Sequence, residues 1–311
     1  MSVKASYLSL SRSGLRERVR SAEEILRKCG LCPRRCGVDR TAGELGFCNS
    51  GTKLLISSWG PHFGEERVLV GRFGSGSIFF SRCNLGCVFC QNWGISHLGE
   101  GEEVSFGKLA AIMLDLQEMG CHNINLVTPT HQMPMILHSI ALAREEGLNV
   151  PIVYNCGGYE SLEALGLLEG IIDIYMPDFK YADPDMALKY SNAEDYPQAA
   201  KAAGKEMHRQ VGDLTKDERG IAFRGLLVRH LVLPNGIAGT KEVVRFIADE
   251  ISRNTYINIM DQYHPCYRAS DYPPLDRKTA GREHAEAVQL ALSAGLKRID
   301  GLLKNHLNFF V

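Results

Sequence analysis

No run of about 18 apolar residues occurs in the chain, and its N-terminus lacks the apolar core of a secretory signal, so it reads as a cytoplasmic protein that does not span a membrane. Positive charge is not in surplus either: 35 Lys and Arg stand against 36 Asp and Glu, a net charge of −1. With no positive field to gather phosphates, a dedicated nucleic-acid binder is disfavoured. The one basic stretch, "SRSGLRERVRSAEEILRKCG", interleaves its Arg and Lys with Leu15, Val19, Ile25 and Leu26 at helical spacing. That is the pattern of a solvated amphipathic helix. Apolar residues make up 45% of the 311 positions and charged residues 23%, which argues against disorder. The length suits one large core with appendages.

Cysteine is present in quantity. Ten thiols in a reducing compartment point to metal or redox ligands rather than disulfides. Seven fall into two groups: Cys29, Cys32, Cys36 and Cys48 in "CGLCPRRCGVDRTAGELGFC", then Cys83, Cys87 and Cys90 in "SRCNLGCVFCQN". Cys121, Cys156 and Cys266 are scattered. For the group of three, packing is the bland explanation, because free cysteine is often buried. Zinc asks for a fourth ligand, for which His97 is the nearest candidate. A two-cysteine redox motif leaves Cys83 unexplained. Three thiolates suit a four-iron cluster in which one iron lacks a protein ligand.

Cys-x3-Cys-x2-Cys after an apolar strand, with Phe89 before the third cysteine, resembles the signature of the radical S-adenosylmethionine (SAM) superfamily. The resemblance implies a [4Fe-4S] cluster on Cys83, Cys87 and Cys90 whose open iron chelates SAM. One electron would cleave the sulfonium and yield a 5'-deoxyadenosyl radical able to abstract hydrogen. The hard chemistry would be the cofactor's, and the protein would position it and keep water away.

Downstream, apolar runs alternate with amphipathic stretches. Residues 77–80, 123–128, 151–155, 171–178, 226–234 and 256–263 read as buried strands, and 104–119, 132–146, 159–169, 184–209 and 239–253 as helices. Repeated strand-helix units imply a parallel sheet, and six of them an α/β fold of the partial (β/α)6 TIM-like barrel type, which the resemblance also implies. The expected organisation is an N-terminal helix and cysteine-rich module at 1–76, the barrel at 77–265 and a C-terminal lid or extension at 266–311. Function in such barrels collects at the C-terminal strand ends.

The second strand ends in "TPTHQMP". Thr128, Thr130 and His131 stand where the superfamily has a glycine-rich segment holding the SAM amino group, although a turn capped by Thr130 explains the same residues. The third ends in "YNCGGYE", whose glycines permit close approach or a positive φ. The fourth ends in "MPDFKY", with Asp178 and Lys180 projecting to one side. These ends are similar to those of activating enzymes of the pyruvate formate-lyase kind. The likeness implies that Asn155, Met176, Asp178 and Lys180 hold the SAM carboxylate and a cation, with Asn155 in place of the usual acid and the cation site correspondingly weaker. Arg229 and His264 match an Arg and a His of the same family, and an Arg inside an apolar strand calls for a partner.

Cys29, Cys32, Cys36 and Cys48, with Pro33 and four glycines shaping turns, read as a second metal site for zinc or a second iron-sulfur cluster. The whole arrangement looks like a subgroup of uncharacterised proteins named after the activase. Expected partners are a one-electron donor such as flavodoxin or ferredoxin and a protein or peptide substrate, a glycine in the activase case. The competing class is a non-catalytic iron-sulfur or zinc protein. Tyr267, Arg268, Asp271 and Arg277, after the last strand, are candidates for substrate contact if that segment covers the barrel mouth, and a plain surface loop otherwise.

Overall fold

The computed structural model describes residues 4–300. Residues 1–3 of the expected N-terminal module and 301–311 of the expected extension lie outside the described residues. The chain opens with helix α1 (Arg12–Glu24), capped by the Ser11 hydroxyl, which accepts from the Gly14 N–H at 3.0 Å. Its apolar stripe Leu15, Val19 and Ala22 is buried, and the basic residues beside it face outward.

The next elements are β1 (Leu54–His62), the short α2 (Arg67–Val70), β2 (Ser75–Phe80) and β3 (Glu102–Val104). They lead into α3 (Phe106–Glu118), β4 (Ile124–Val127), α4 (Met133–Glu145), β5 (Ile152–Cys156), α5 (Leu162–Leu168) and β6 (Ile174–Pro177). Then follow α6 (Pro184–Ser191), α7 (Tyr196–Val211), β7 (Thr215–Lys216), β8 (Ala222–Leu231), α8 (Thr240–Phe246), β9 (Tyr256–Met260), α9 (Gly281–Ser293) and β10 (Arg298–Ile299).

The sheet runs β10-β9-β8-β6-β5-β4-β2-β1-β3, with β7 paired to β8. The six expected strands are β2, β4, β5, β6, β8 and β9, all parallel and in sequence order, as a partial (β/α)6 barrel requires. Val153, Ile174, Met176, Leu227 and Tyr256 of the parallel strands form an apolar cluster with Val68 and Leu69 of α2.

Three expectations change. Position 76 lies inside β2, and β1 pairs antiparallel with that strand from Ile56 to His62, so the N-terminal segment continues the barrel sheet. At the other end β10 pairs with β9, so the C-terminal segment also joins the sheet. The single helix at 184–209 is two, because Asn192 takes φ 51° and turns the chain between α6 and α7. An amphipathic pattern runs through that break and hides it.

Candidate functional site

Strand β2 ends in a turn at Arg82, φ 75°, and delivers Cys83, Cys87 and Cys90 to the C-terminal edge of the sheet. Each thiol sulfur has a polar neighbour. The Leu85 N–H donates to Cys83 Sγ at 3.3 Å, the Ser191 hydroxyl donates to Cys87 Sγ at 3.0 Å, and Ser96 Oγ lies 3.1 Å from Cys90 Sγ. Burial pushes the Cys83 and Cys87 thiols up, and the positive charge of Lys180 opposes it at both. Donors beside all three sulfurs, with the Lys180 charge favouring the ionised form of two, suit thiolates bound to metal, so this donor set fits an iron-sulfur cluster. The His97 Nε2 lies 3.1 Å from the Cys87 carbonyl. Phe89 is buried edge-on against Tyr181 and Tyr263.

The neighbouring strand ends carry a connected polar group. Strand register sets Val127 beside Asn155, and Arg229 beside both Asp178 and Asn258. Arg229 donates from Nε to Asp178 Oδ1 at 2.8 Å and from Nη2 to Asn155 Oδ1 at 2.7 Å, reaching across β6. Lys180 Nζ donates to the other Asp178 oxygen at 2.6 Å. Burial works against the Asp178 charge, but Arg229 and Lys180 outweigh it and hold the carboxyl below its ordinary range. Two cations on one carboxylate leave an excess of one positive charge, which fits the carboxylate end of SAM. Asn155 is a neutral acceptor for Arg229. Met176 is wholly buried in the apolar cluster it shares with Val68 and Leu69 of α2.

Glycine is required at the end of β5. A Cβ on Gly158, φ 77°, would meet the Asp178 carbonyl at 2.3 Å, and one on Gly157 would meet Leu85 at 2.8 Å. The pair thus lets the third strand end lie against the fourth and against the cysteine loop. Thr128, φ 60°, donates its N–H to the Asn155 carbonyl at 2.8 Å, so the second strand end closes on the same group.

Thr130 and His131 are placed elsewhere. The Thr130 hydroxyl donates to buried Glu160 Oε1 at 2.6 Å, and it does not cap the following turn. His131 lines a pocket of about 370 Å³ together with Cys29, Cys32, Cys36 and Cys48. His131 is not part of the hydrogen-bonded set of Asn155, Asp178, Lys180 and Arg229. In that pocket the Phe47 N–H donates to Cys36 Sγ at 3.4 Å, and a Cβ on Gly46 would strike the same sulfur at 2.8 Å. Burial pushes the Cys32 thiol up to about 12. All ten cysteines are free thiols, and among the described residues no three Cys, His, Asp or Glu side chains meet around one ion-sized point.

The segment after β9 lies against the cysteine loop. The Arg268 N–H donates to the Val88 carbonyl at 2.9 Å. Tyr267, φ 53°, stacks on His97 at 4.4 Å and on Trp93 at 5.8 Å between ring centroids. His264 is exposed, with Gln91 Nε2 3.3 Å from its Nδ1, one residue past Cys90. Arg277 is held by Glu283 at 2.7 Å and by Asn235. Its two bonds to Glu283 make a bidentate carboxylate pair that ties the segment to α9. Arg268 and Asp271 pair with each other at 3.3 Å on the surface.

Two participants had no signal in the sequence. Ser191, the last residue of α6, reaches Cys87, and the neighbouring Tyr190 carbonyl accepts from the Val88 N–H at 2.9 Å. The Tyr196 hydroxyl accepts from the Lys180 N–H at 2.9 Å and lies within 2.9 Å of the Gly157 and Asp178 carbonyls, which fixes the fourth strand end.

Among the described residues no helix is long and apolar enough to cross a membrane. Residues 77–218 match the family model described as the Radical SAM superfamily. An uncharacterised protein of Methanocaldococcus jannaschii is 32% identical over 283 residues, covering 88% of this chain and 77% of its own. A second from that organism is 26% identical over 300 residues, covering 88% and 80%. Among solved structures, HydG, a maturase of the [FeFe]-hydrogenase, aligns with TM-score 0.49 and 10% identity over 94% of this chain and 63% of its own. Streptococcus suis SuiB bound to precursor peptide SuiA aligns with TM-score 0.45 and 11% identity over 68% of this chain and 44% of its own.

Proposed function

The chain belongs to the radical SAM superfamily, and from that premise we propose that it is an enzyme of the activating type that abstracts hydrogen from a protein or peptide, a glycine being the candidate the family resemblance supplies. The observation that carries this reading is the adjacency of two groups. Cys83 and Cys87, half-buried and buried, lie within the influence of the positive charge of Lys180, whose ammonium is tied to the Asp178 that also receives Arg229.

When bound and reduced by one electron, the cluster and SAM supply a 5'-deoxyadenosyl radical. The protein's own part is to hold and to exclude. Cys83, Cys87 and Cys90 would ligate the cluster, while Ser191, Ser96 and the Leu85 N–H satisfy their sulfurs. Arg229 and Lys180 would face the SAM carboxylate with Asn155 and Asp178 orienting them, and His264 sits at the mouth beside Gln91. The Tyr267 segment would keep water from the centre. A flavodoxin or ferredoxin would deliver the electron, and the free thiols suit the reducing cytoplasm.

The test is anaerobic reconstitution with iron and sulfide, followed by SAM and dithionite. Slow formation of 5'-deoxyadenosine is expected, and it should vanish in Cys83→Ala. Undiminished cleavage by that variant would overturn the reading.

A further inference from the structure

The four-cysteine pocket contains a buried nitrogen that the radical centre does not use. His131 is 2% exposed and lines that pocket. Its Nε2 lies 2.8 Å from the Ser81 carbonyl, which can only accept, so Nε2 carries the proton and Nδ1 the lone pair. Gln132 donates to the same carbonyl at 2.9 Å. Nδ1 is buried without a hydrogen-bond partner. Leaving such an acceptor bare is unfavourable, and a ligating histidine characteristically donates its other ring N–H to a backbone carbonyl in this way.

We propose that this pocket is a thiolate-imidazole site for a borderline-soft transition metal, with His131 Nδ1 as one ligand beside cysteines of the 29–48 segment, and that its occupancy steadies the Cys83 loop. Three observations converge on it. Four thiols and the bare imidazole nitrogen line one pocket. A backbone N–H already points at Cys36 Sγ, and only glycine fits at position 46 beside that sulfur. The thiols do not yet meet around one point, so loading draws them inward, each ligating thiol giving its proton to solvent.

The link to the radical centre is short. His131 holds the carbonyl of Ser81, two residues before Cys83. Asn84, one residue after Cys83, also lines the pocket. Arg34, from between Cys32 and Cys36, donates to the Asn84 carbonyl at 2.8 Å. Metal in the pocket thus stiffens the loop from both sides of Cys83. This inference requires no SAM chemistry, and its failure is separable from failure of the radical reading.

Zinc and an iron-sulfur cluster share this thiolate chemistry, and the experiment has an arm for each. The full chain carrying Cys83→Ala, Cys87→Ala and Cys90→Ala is loaded anaerobically with zinc alone, or with ferrous iron and sulfide, then desalted. One arm should retain metal. In the zinc arm X-ray absorption should show sulfur near about 2.3 Å and nitrogen near about 2.0–2.1 Å. In the iron arm it should show a nitrogen scatterer beside the sulfurs. Adding His131→Gln should remove the nitrogen and weaken retention by about tenfold or more. An all-sulfur shell with His131 in place, or no metal in either arm, overturns the assignment without recourse to the His131 variant. Amide exchange over residues 81–90 should slow on loading, and unchanged exchange there refutes the link to the loop.

Discussion

Arg229 and Asp178 face each other on neighbouring strand ends, Nε to Oδ1 at 2.8 Å, with both side chains less than one-fifth exposed. The pairing follows from the backbone: the register sets Asp178 and Arg229 side by side, and the Phe179 N–H continues the ladder to the Arg229 carbonyl at 2.8 Å.

Asp178→Asn should therefore act on binding and on stability. It removes the one negative charge between Arg229 and Lys180 and leaves two buried cations facing each other. Breaking such a pair costs about 3–5 kcal/mol. A lower melting temperature and weaker SAM binding by calorimetry are expected, with the iron content of the reconstituted protein retained. Unchanged SAM affinity would remove Asp178 from the site.

Glu160 predicts a pH dependence. Its carboxylate is buried beneath Thr130 and Tyr154, and burial outweighs their hydrogen bonds, pushing its pKa up to about 7 from 4.5. The folded state binds this proton more tightly than the unfolded one, so the contribution to stability is full below pH 4.5 and is lost as pH rises toward about 7. Each pKa unit corresponds to roughly 1.4 kcal/mol, which sets the scale of the loss at a few kcal/mol. Urea unfolding across that window should show the fall, and Glu160→Gln should flatten it. An equally steep profile in the variant would assign the effect to another group.

Tyr267 predicts an optical signal. Its ring stacks on Trp93, one of only two tryptophans in the chain, and on His97, whose Nε2 contacts the Cys87 carbonyl. Tyr267→Gly relieves the positive φ while deleting both stacks. Tryptophan emission should shift to the red, and 5'-deoxyadenosine formation without substrate should rise as water reaches the centre. Unaltered emission and unaltered uncoupled cleavage would make the segment an ordinary surface loop.

The barrel was legible in the sequence because its six parallel strands are short apolar runs separated by amphipathic helices. The cysteine motif leaves a local mark in its spacing, and Asp178, Lys180 and Arg229, singled out through the family resemblance, meet at neighbouring strand ends. Ser191 and Tyr196 were not legible, since they flank the break between α6 and α7, and nothing in a continuous amphipathic pattern marks the turn at Asn192. His131 shows the opposite difficulty. Its position at a strand end pointed to SAM, whereas the ring turns to the N-terminal pocket, a choice made by the Ser81 carbonyl far away in sequence. The extra strands β1, β3 and β10 escaped because they are short or half exposed and lack a continuous apolar run.

The side chain of Arg34 lies over the Phe47 ring at 3.4 Å and donates to the carbonyls of Asn84 at 2.8 Å, Asn192 at 2.6 Å and Ser191 at 3.3 Å. One guanidinium thus fastens the N-terminal cysteine segment, the radical-centre loop and the break between α6 and α7. These three regions, far apart in sequence, form one cooperative unit, and cutting the chain ahead of the barrel would leave two helix-end carbonyls and the loop itself without their common donor.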